Sequence, residues 1–334
     1  MSHDASAATP RLADASLLPL TERVLAALPG PRWLGLTAWA FLPTAGYEIA
    51  HLAWDIPSYP GPGLTLSIAW ANLVGLLAAE RFARRLQELA PDLERLLPPE
   101  ELAPARHPFR AVGSVAGPLV LTALLVLSFE GLDFVLRPGL DTGFLVVAVA
   151  LGEIPIAAFL WVYSAVLLGL DRLGRAPLRL RPFVADPSLG LKPFGSLGLQ
   201  ALALVVLATV PSIPWSIQDP RALVVVGGAA ALAIALFFLS AYRLHLKLEL
   251  AKAGEVQRAR QRVAQAIEPT QTDPSGEVLA RQAPEISAAA ELERRALAIQ
   301  DWPFSAAVLR TVAAIATSVV AVILARLVLS RVGL

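Results

Sequence analysis

The sequence predicts an all-α, polytopic membrane protein with seven transmembrane helices, and three observations lead to this fold class. Of the 334 residues, 56% are apolar and 16% are charged, whereas a soluble domain carries about 25% charged residues. Seven segments are apolar over roughly the 20 residues that a bilayer-spanning helix needs. Lysine and arginine are abundant in every second connecting segment and scarce in the others, which is the positive-inside pattern.

The seven predicted spans are apolar stretches separated by polar or turn-forming residues. They cover residues 33–54, 63–79, 111–129, 144–170, 194–217, 222–242 and 304–329. The segments assigned to the cytoplasm hold 23 lysines and arginines, and the opposite loops hold only Arg137 and Arg221. We therefore expect a multi-pass protein of the inner (cytoplasmic) membrane, with its N-terminus in the cytoplasm and its C-terminus outside.

The chain before the first span predicts an amphipathic helix rather than a signal peptide. Residues 1–30 contain no uninterrupted apolar core followed by a small-residue cleavage site. The stretch "SLLPLTERVLAALPGP" predicts a helix on the membrane surface, capped at Thr21 and ended by Gly30 and Pro31. Residues 1–32 thus form a cytoplasmic tail, 33–242 the first six spans, 243–302 a cytoplasmic helical segment and 303–334 the last span.

The cytoplasmic segment predicts two amphipathic helices joined by the linker "EPTQTDPSGE". The first continues from span six with an apolar stripe at helical spacing: Leu246, Leu250, Ala253, Val256, Ala259, Val263 and Ile267. The second starts near Pro284, with Ala288, Leu292, Ala296 and Ile299 on one side. Each stripe needs a partner. The two helices either pair with each other or lie on the membrane surface, or they pair with copies in neighbouring subunits.

The tetrapeptide "DWPF" predicts a hinge at Trp302 and Pro303, between the cytoplasmic helix and the last span. Proline has no backbone donor and disfavours helical geometry in the residue before it. Tryptophan favours the membrane interface. A compact turn is also expected where Asp186-Pro187 is followed by Gly190 and Gly195.

The last span carries small residues at intervals of three and four. They are Ala307, Thr311, Ala314, Ser318, Ala321 and Ala325. Such a seam permits close helix packing in lipid, and it would also line a narrow water-filled pore if several copies faced one axis. Self-association is expected through residues 243–300 and 303–329.

Ionisable and aromatic residues in the predicted outer half suggest a second kind of site. The candidates are Tyr47, Glu48, His51, Trp54, Glu130, Asp133 and Glu153. An acidic, aromatic-lined vestibule would attract a cation or an amine ligand. The alternative is that Glu48 and its neighbours are ordinary interface residues and that Glu153 is neutral or bonded to a neighbouring helix.

Several functional classes are disfavoured by what the sequence contains. A net charge of +1 without a concentrated basic face argues against a nucleic-acid partner. The chain has no cysteine and four histidines, and Glu48 with His51 is a single Glu-x-x-His, so no metal or cofactor is expected. No nucleophile elbow, phosphate loop or zinc-protease motif is present, so we do not expect an enzyme.

Two resemblances extend this interpretation. The pieces "DPSLGLKPFGSLGL", "YRLHLKLELAKAGEVQRAR" and "DWPFSAAVLRTVAAI" resemble a widespread group of prokaryotic integral membrane proteins with no assigned function. The overall architecture resembles the insect odorant and gustatory receptor superfamily. That resemblance implies a tetrameric, ligand-gated cation channel whose last helix lines the pore, with Pro303 dividing its anchor and membrane segments.

The expected function is therefore a homo-oligomeric channel or channel-like receptor that conducts along span seven. The alternatives are a monomeric or dimeric transporter or lipid-handling protein, and a membrane scaffold that conducts nothing. Pro43, Pro118, Pro155, Pro211 and Pro214 would give a transporter its interrupted helices. The partners expected are the lipid bilayer, further copies of the chain, and a small-molecule ligand or cation.

Overall fold

The structure is a computed structural model that describes most of the chain. It covers residues 18–54, 62–130, 139–212, 220–272 and 274–304, together with positions 310, 313, 314, 317, 318, 321 and 325. The described residues contain nine α-helices, two short 3₁₀ turns and no strand. The prediction of an all-α fold is confirmed.

The nine described helices follow one another along the chain. They are α1 (Leu20–Ala27), α2 (Arg32–Trp54), α3 (Pro62–Leu96), α4 (Pro99–Arg110), α5 (Ala116–Glu130), α6 (Leu140–Arg175), α7 (Lys192–Thr209), α8 (Pro220–Thr272) and α9 (Gly276–Leu297). With 53 residues, α8 is about 80 Å long. It therefore extends far beyond a hydrocarbon core of about 30 Å.

Four described helices are long and apolar enough to cross a bilayer. They contain the segments Thr65–Leu96, Thr142–Arg175, Lys192–Ser212 and Val226–Thr272. Helices α4 and α5 meet at a bend of 56° and make a fifth if the pair is one span. Helix α2 has the length of a span, with 23 residues, but is not among the four. The chain is membrane-embedded, with four or five such spans among the described residues, and the count of seven stays a prediction.

Large apolar side chains on the outside of the bundle agree with lipid as the surrounding solvent. Leu42, Leu52, Leu66, Leu168 and Leu239 each expose more than 60% of their surface. They belong to four different helices of the bundle, α2, α3, α6 and α8. In water this much exposed apolar surface would mark an interaction site.

Pro155 lies inside the continuous helix α6 rather than at a break. It has no backbone N–H, so the carbonyl of Leu151 loses its helical donor. The indole Nε1 of Trp39, on α2, donates to that carbonyl at 3.0 Å. The proline thereby becomes a link between two helices.

The end of α7 repeats the arrangement. Pro211 removes the helical donor of Leu207, and the indole Nε1 of Trp70 on α3 donates to the Leu207 carbonyl at 3.0 Å. The Ser67 hydroxyl donates to the carbonyl of Pro211 at 2.9 Å. Helices α3 and α7 are therefore held together where α7 loses its own hydrogen bonds.

The best-packed part of the core lies toward one end of the bundle. Its fully buried large side chains include Phe82, Leu97, Leu173, Phe194 and Leu244. We call this the arginine-rich end. It consists of residues 80–113, the 172–194 connection, the part of α8 beyond residue 242, and residues 298–304.

Ion pairs join different segments within the arginine-rich end and beside it. Arg243 on α8 contacts Asp171 on α6 at 3.0 Å. Arg181 in the connection before α7 contacts Asp92 on α3 at 2.8 Å. Arg32, at the start of α2, contacts Glu80 on α3 at 2.5 Å. The basic segments that the sequence separates thus meet on one side of the bundle.

The prediction that Thr21 caps the first helix is wrong. Helix α1 has Pro19 at its N-cap position and no side-chain cap. Thr21 lies inside the first turn and is fully buried, because α1 packs against α2, α3 and α6. Leu25, also on α1, packs in a small apolar cluster with Leu36, Ala40 and Leu76.

The predicted linker between the two polar helices is also mostly helical. Helix α8 continues to Thr272, and α9 starts at Gly276 with Ser275 as its N-cap, so Pro284 lies inside α9. The two helices pack against each other within the chain. Arg260 and Glu293 form an ion pair between them at 3.1 Å.

The packing face of α8 agrees with the predicted apolar stripe only in part, at Ala259. Leu246, Leu250 and Ala253 are exposed, whereas Leu244 and Leu248 are fully buried. Further along, small residues form the contact with α9: Ala259 and Ala266 on α8, with Ala289 and Ala296 on α9, are buried. Alanine allows the two helix backbones to approach closely, so the largest apolar residues do not define the interface.

Candidate functional site: the junction before the last helix

Residues 301–304 form a non-helical junction between α9 and the described helical positions of the last segment. The indole of Trp302 stacks on the imidazole of His245, with ring centroids 4.3 Å apart and planes 7° apart. The ring of Phe238 meets the same indole edge-on at 5.8 Å. The predicted hinge residue Trp302 is therefore held between two aromatic rings of α8.

Hydrogen bonds fix the residues on both sides of that stack. Nδ1 of His245 lies 2.6 Å from the carbonyl oxygen of Asp301, and a carbonyl can only accept, so Nδ1 carries the proton. Nζ of Lys252 donates to Oδ1 of Asp301 at 2.8 Å. The backbone N–H of Gln300 donates to the carbonyl of Pro187 at 3.0 Å. The junction is thus bonded to α8 and to the connection before α7.

Pro303, the second hinge residue, lies against the first turns of α7. A methyl group on Gly195 would overlap the backbone and ring of Pro303, so only glycine permits this contact. Phe304 follows directly and is buried, with its ring 5.6 Å from that of Phe237. These contacts therefore fix the position of the chain at the end of the junction.

The Asp186-Pro187 turn that receives Gln300 is built around one carboxylate. Oδ1 of Asp186 accepts from the backbone N–H of Ser188 at 2.8 Å and from its hydroxyl at 2.7 Å. Oδ2 accepts from the N–H of Gly190 at 2.9 Å. Partial burial opposes ionisation, but these hydrogen bonds and the nearby Arg181 outweigh it, so the pKa of Asp186 lies below its ordinary value.

The turn contains the described residues with positive φ in this region, Leu189 at 53° and Gly190 at 91°. Its amide groups are already used within the chain. The N–H groups of Phe194 and Gly195 both donate to the carbonyl of Leu191, and that of Lys192 donates to the Ser188 hydroxyl at 3.3 Å. The turn therefore stabilises the junction and has no amide cradle left for a phosphate.

Three of the residues predicted to form an outer pocket, Tyr47, Glu48 and Trp54, lie at the opposite end of the bundle. Oε1 of Glu48 accepts a hydrogen bond from the hydroxyl of Thr65 at 2.7 Å. Trp54 meets Phe144 edge-on at 5.6 Å, and Tyr47 packs beside a small cluster of Ala50 and Leu145. These contacts join α2 to α3 and to α6.

The remaining pocket candidates are less completely placed. His51 and Glu153 are half-buried on α2 and α6. Glu130 is the last residue of α5, with no described side chain, and Asp133 lies outside the described residues. Among the residues that the structure describes, no group of three His, Asp or Glu side chains is arranged to hold a metal ion.

The small-residue seam of the last predicted span is described at four of its six positions. Ala314, Ser318, Ala321 and Ala325 are helical and exposed, whereas Ala307 and Thr311 lie outside the described residues. The hydroxyl of Ser318 donates to the carbonyl of Ala314 at 2.8 Å. The described part of the seam therefore presents small side chains, and its Ser318 hydroxyl is bonded within its own helix.

Sequence reasoning missed His245 as a partner of Trp302, because the two residues are far apart in the chain. The signal that could have found it is the third aromatic ring, Phe238, two helical turns before His245 on the same face of α8.

In comparisons with known proteins, no family model, no curated protein and no solved structure matches the chain.

Proposed function

We propose that the protein is a homo-oligomeric membrane channel in which the last helix of each subunit faces a common axis. The chain then crosses the membrane seven times, with its N-terminus in the cytoplasm and its C-terminus outside. The junction at residues 301–304 anchors the start of that last helix to α7 and α8. The arrangement is the one that the resemblance to the insect odorant and gustatory receptors implies.

The exposed seam of the last helix carries this proposal. Ala314, Ser318, Ala321 and Ala325 are exposed in the single chain, so no described part of the subunit buries these four positions. Helices associate in lipid through such faces because small residues permit close approach. A second copy of the same helix is the partner that a repeated, symmetric assembly supplies.

The orientation is supported by the gathering of basic residues at the arginine-rich end. Arginines from the start of α2, from the 172–194 connection and from α8 form ion pairs there or beside it. By the positive-inside rule this end belongs in the cytoplasm. Glu48 and Glu153 then belong to the outer half, where carboxylates favour cations over anions as the conducted species.

The transporter alternative receives less support from the helices. Pro43 and Pro155 lie within continuous helices, and Trp39 satisfies the carbonyl that Pro155 frees. Among the described residues, the bend between α4 and α5 interrupts an apolar segment. A transporter built on broken helices would place such interruptions around a central substrate site.

The proposal is tested by replacing one residue in the seam, and one on the opposite side of the same helix, with a bulky tryptophan. The variants are Ser318→Trp and Ile323→Trp; at 100° per residue, position 323 lies about half a turn around from the seam. Mass measurement of the full-length protein in nanodiscs should give one oligomer for the parent and for Ile323→Trp. Planar-bilayer recordings should show conductance in both and its loss in Ser318→Trp.

The outcomes separate the functional classes. A monomeric parent protein contradicts the proposal, because one subunit cannot surround an axis with its last helix. An oligomer without conductance contradicts the channel and favours the scaffold. Equal conductance in Ser318→Trp and in the parent would show that the pore lies elsewhere.

A further inference from the structure

A cleft lies between α3, α4 and the start of α7 at the arginine-rich end. Its volume is about 280 Å³. Its apolar wall consists of Leu86, Leu89, Leu93, Phe109 and Phe194. A volume of this size is near the lower limit for small-molecule pockets, and it suits a flexible apolar chain better than a bulky polar ligand.

Two arginines, Arg106 and Arg110, also line the cleft. Arg106 pairs with Glu94, whose carboxylate is more than half exposed. Arg110 is exposed and, within the part of the chain that the structure describes, forms no ion pair. The cleft therefore combines an apolar wall with an arginine that still has its full capacity to bind an anion.

The cleft lies where the bundle changes from apolar to charged. The ring of Phe109 occupies the space beside Gly169 on α6, two residues before the first charge of that helix end, Asp171. Phe194 lies in the first turn of α7. Arg110 ends α4 immediately before the turn into α5. On these three helices the cleft is thus at the level of the lipid headgroups.

We infer that this cleft binds an anionic phospholipid. The phosphate group pairs with Arg110, with Arg106 as the second donor, and an acyl chain lies along the wall formed by Leu86, Leu93 and Phe109. Basic pockets between helices at the cytoplasmic surface are the kind of site that takes anionic headgroups. The apolar wall selects a lipid over a free phosphate, which would leave that wall in water. The site does not depend on the proposed channel.

The test is a titration of the delipidated full-length protein with two lipids of identical chains, phosphatidylglycerol and phosphatidylcholine, followed by native mass spectrometry. The parent should bind phosphatidylglycerol more tightly. Arg110→Gln should weaken phosphatidylglycerol binding by about fivefold, since each basic side chain at the surface contributes about 1 kcal/mol. Arg85→Gln is the matched control, because Arg85 is on α3, pairs with Glu88 at 2.7 Å and does not line the cleft.

A second variant tests the acyl chain. Ala90→Trp places a large ring in the cleft, where Ala90 forms part of the lining, and should also weaken phosphatidylglycerol binding while leaving the unfolding temperature near that of the parent. Glycerol phosphate added in excess should not displace the lipid. Displacement by glycerol phosphate, unchanged binding in Ala90→Trp, or equal losses in Arg110→Gln and Arg85→Gln would each overturn the inference.

Discussion

The arginine-rich end and the opposite end of the bundle differ in how their aromatic residues are held. At the arginine-rich end Trp302 stacks on His245 at 4.3 Å, and His245 is hydrogen-bonded to the backbone carbonyl of Asp301. At the opposite end Trp54 meets Phe144 edge-on at 5.6 Å, and both rings are more than 40% exposed. The first arrangement is fixed by its neighbours and the second is a surface contact.

This difference indicates that the specific contacts between separate segments are concentrated at the arginine-rich end. The sequence draws attention to charges in the predicted outer half, such as Glu48 and Glu153, because ionisable groups are costly in lipid. The structure instead brings three separate stretches together at the arginine-rich end: the Asp186 turn, the part of α8 around His245, and residues 301–304. That convergence positions the start of the last helix.

The largest expected effect tests the close contact at the junction. Gly195→Ala should lower the free energy of unfolding by about 1–3 kcal/mol, because the added methyl group overlaps Pro303 and forces the backbone to shift. Gly228→Ala is the matched control on α8, where no atom lies within 4 Å of an added methyl group. It should be neutral or raise stability by about 0.5–1 kcal/mol. Unfolding in mixed micelles measures both, and equal effects would mean that the junction is not tightly packed.

The second prediction concerns the Asp186 turn and its dependence on pH. Asp186→Asn should cost on the order of 1.5 kcal/mol at pH 7, since hydrogen bonds to an ionised carboxylate are lost. The pKa of Asp186 is lowered in the folded protein from 3.8. The stability that its ionised form contributes is therefore present above pH 3.8 and is lost as the pH falls through the lower, folded value. The difference between parent and variant should narrow below pH 3.8, and a constant difference would contradict this origin.

A pair of double-mutant cycles compares the two ends directly. Removing Trp302 and His245, singly and together, should give a coupling energy of about 1 kcal/mol for the stacked pair. The matched cycle on Trp54 and Phe144 should give a clearly smaller value, because both rings are exposed. Thermal unfolding of the parent and the six variants provides the energies. A larger coupling at the Trp54 pair would reverse the comparison.

The smallest expected effect concerns the tryptophans that satisfy proline-freed carbonyls. Trp39→Phe and Trp70→Phe keep an aromatic ring but remove the indole donor to Leu151 and to Leu207. Each should cost about 0.6 kcal/mol, the average of hydrogen bonds between helices in a membrane. Trp33→Phe is a control from α2, since Trp33 exposes 64% of its surface. Three equal losses in an unfolding assay would show that the indole hydrogen bonds contribute nothing.

The local features of the arginine-rich end follow from the sequence, and its assembly does not. The Asp186-Pro187 turn is built from residues a few positions apart, so turn chemistry predicts it. The stack of Trp302 on His245 depends on how α8 and α9 pack. Local sequence patterns do not show which residues of two separate segments come into contact. The same limit applies to Trp39, whose hydrogen bond reaches a carbonyl on another helix.

The packing face of α8 shows a second limit of sequence patterns. The predicted stripe includes Leu246 and Leu250, which are exposed, and Ala259, which is buried, and it omits Ala266, which is also buried. Large side chains dominate a hydrophobicity pattern, but closely packed helices favour small ones. The helix itself is predicted correctly, and the face that it buries depends on its partner.

The seam of the last helix can be tested most directly by disulfide cross-linking. The chain contains no cysteine, so a single substitution, Ser318→Cys, introduces the only thiol. Two cysteines form a disulfide only when their Cα atoms are about 4.4–6.8 Å apart. We predict that Ser318→Cys forms a covalent dimer in native membranes under mild oxidation. Ile323→Cys, which helical periodicity assigns to the opposite side, should not. Efficient cross-linking of Ile323→Cys with none at Ser318→Cys would contradict this prediction.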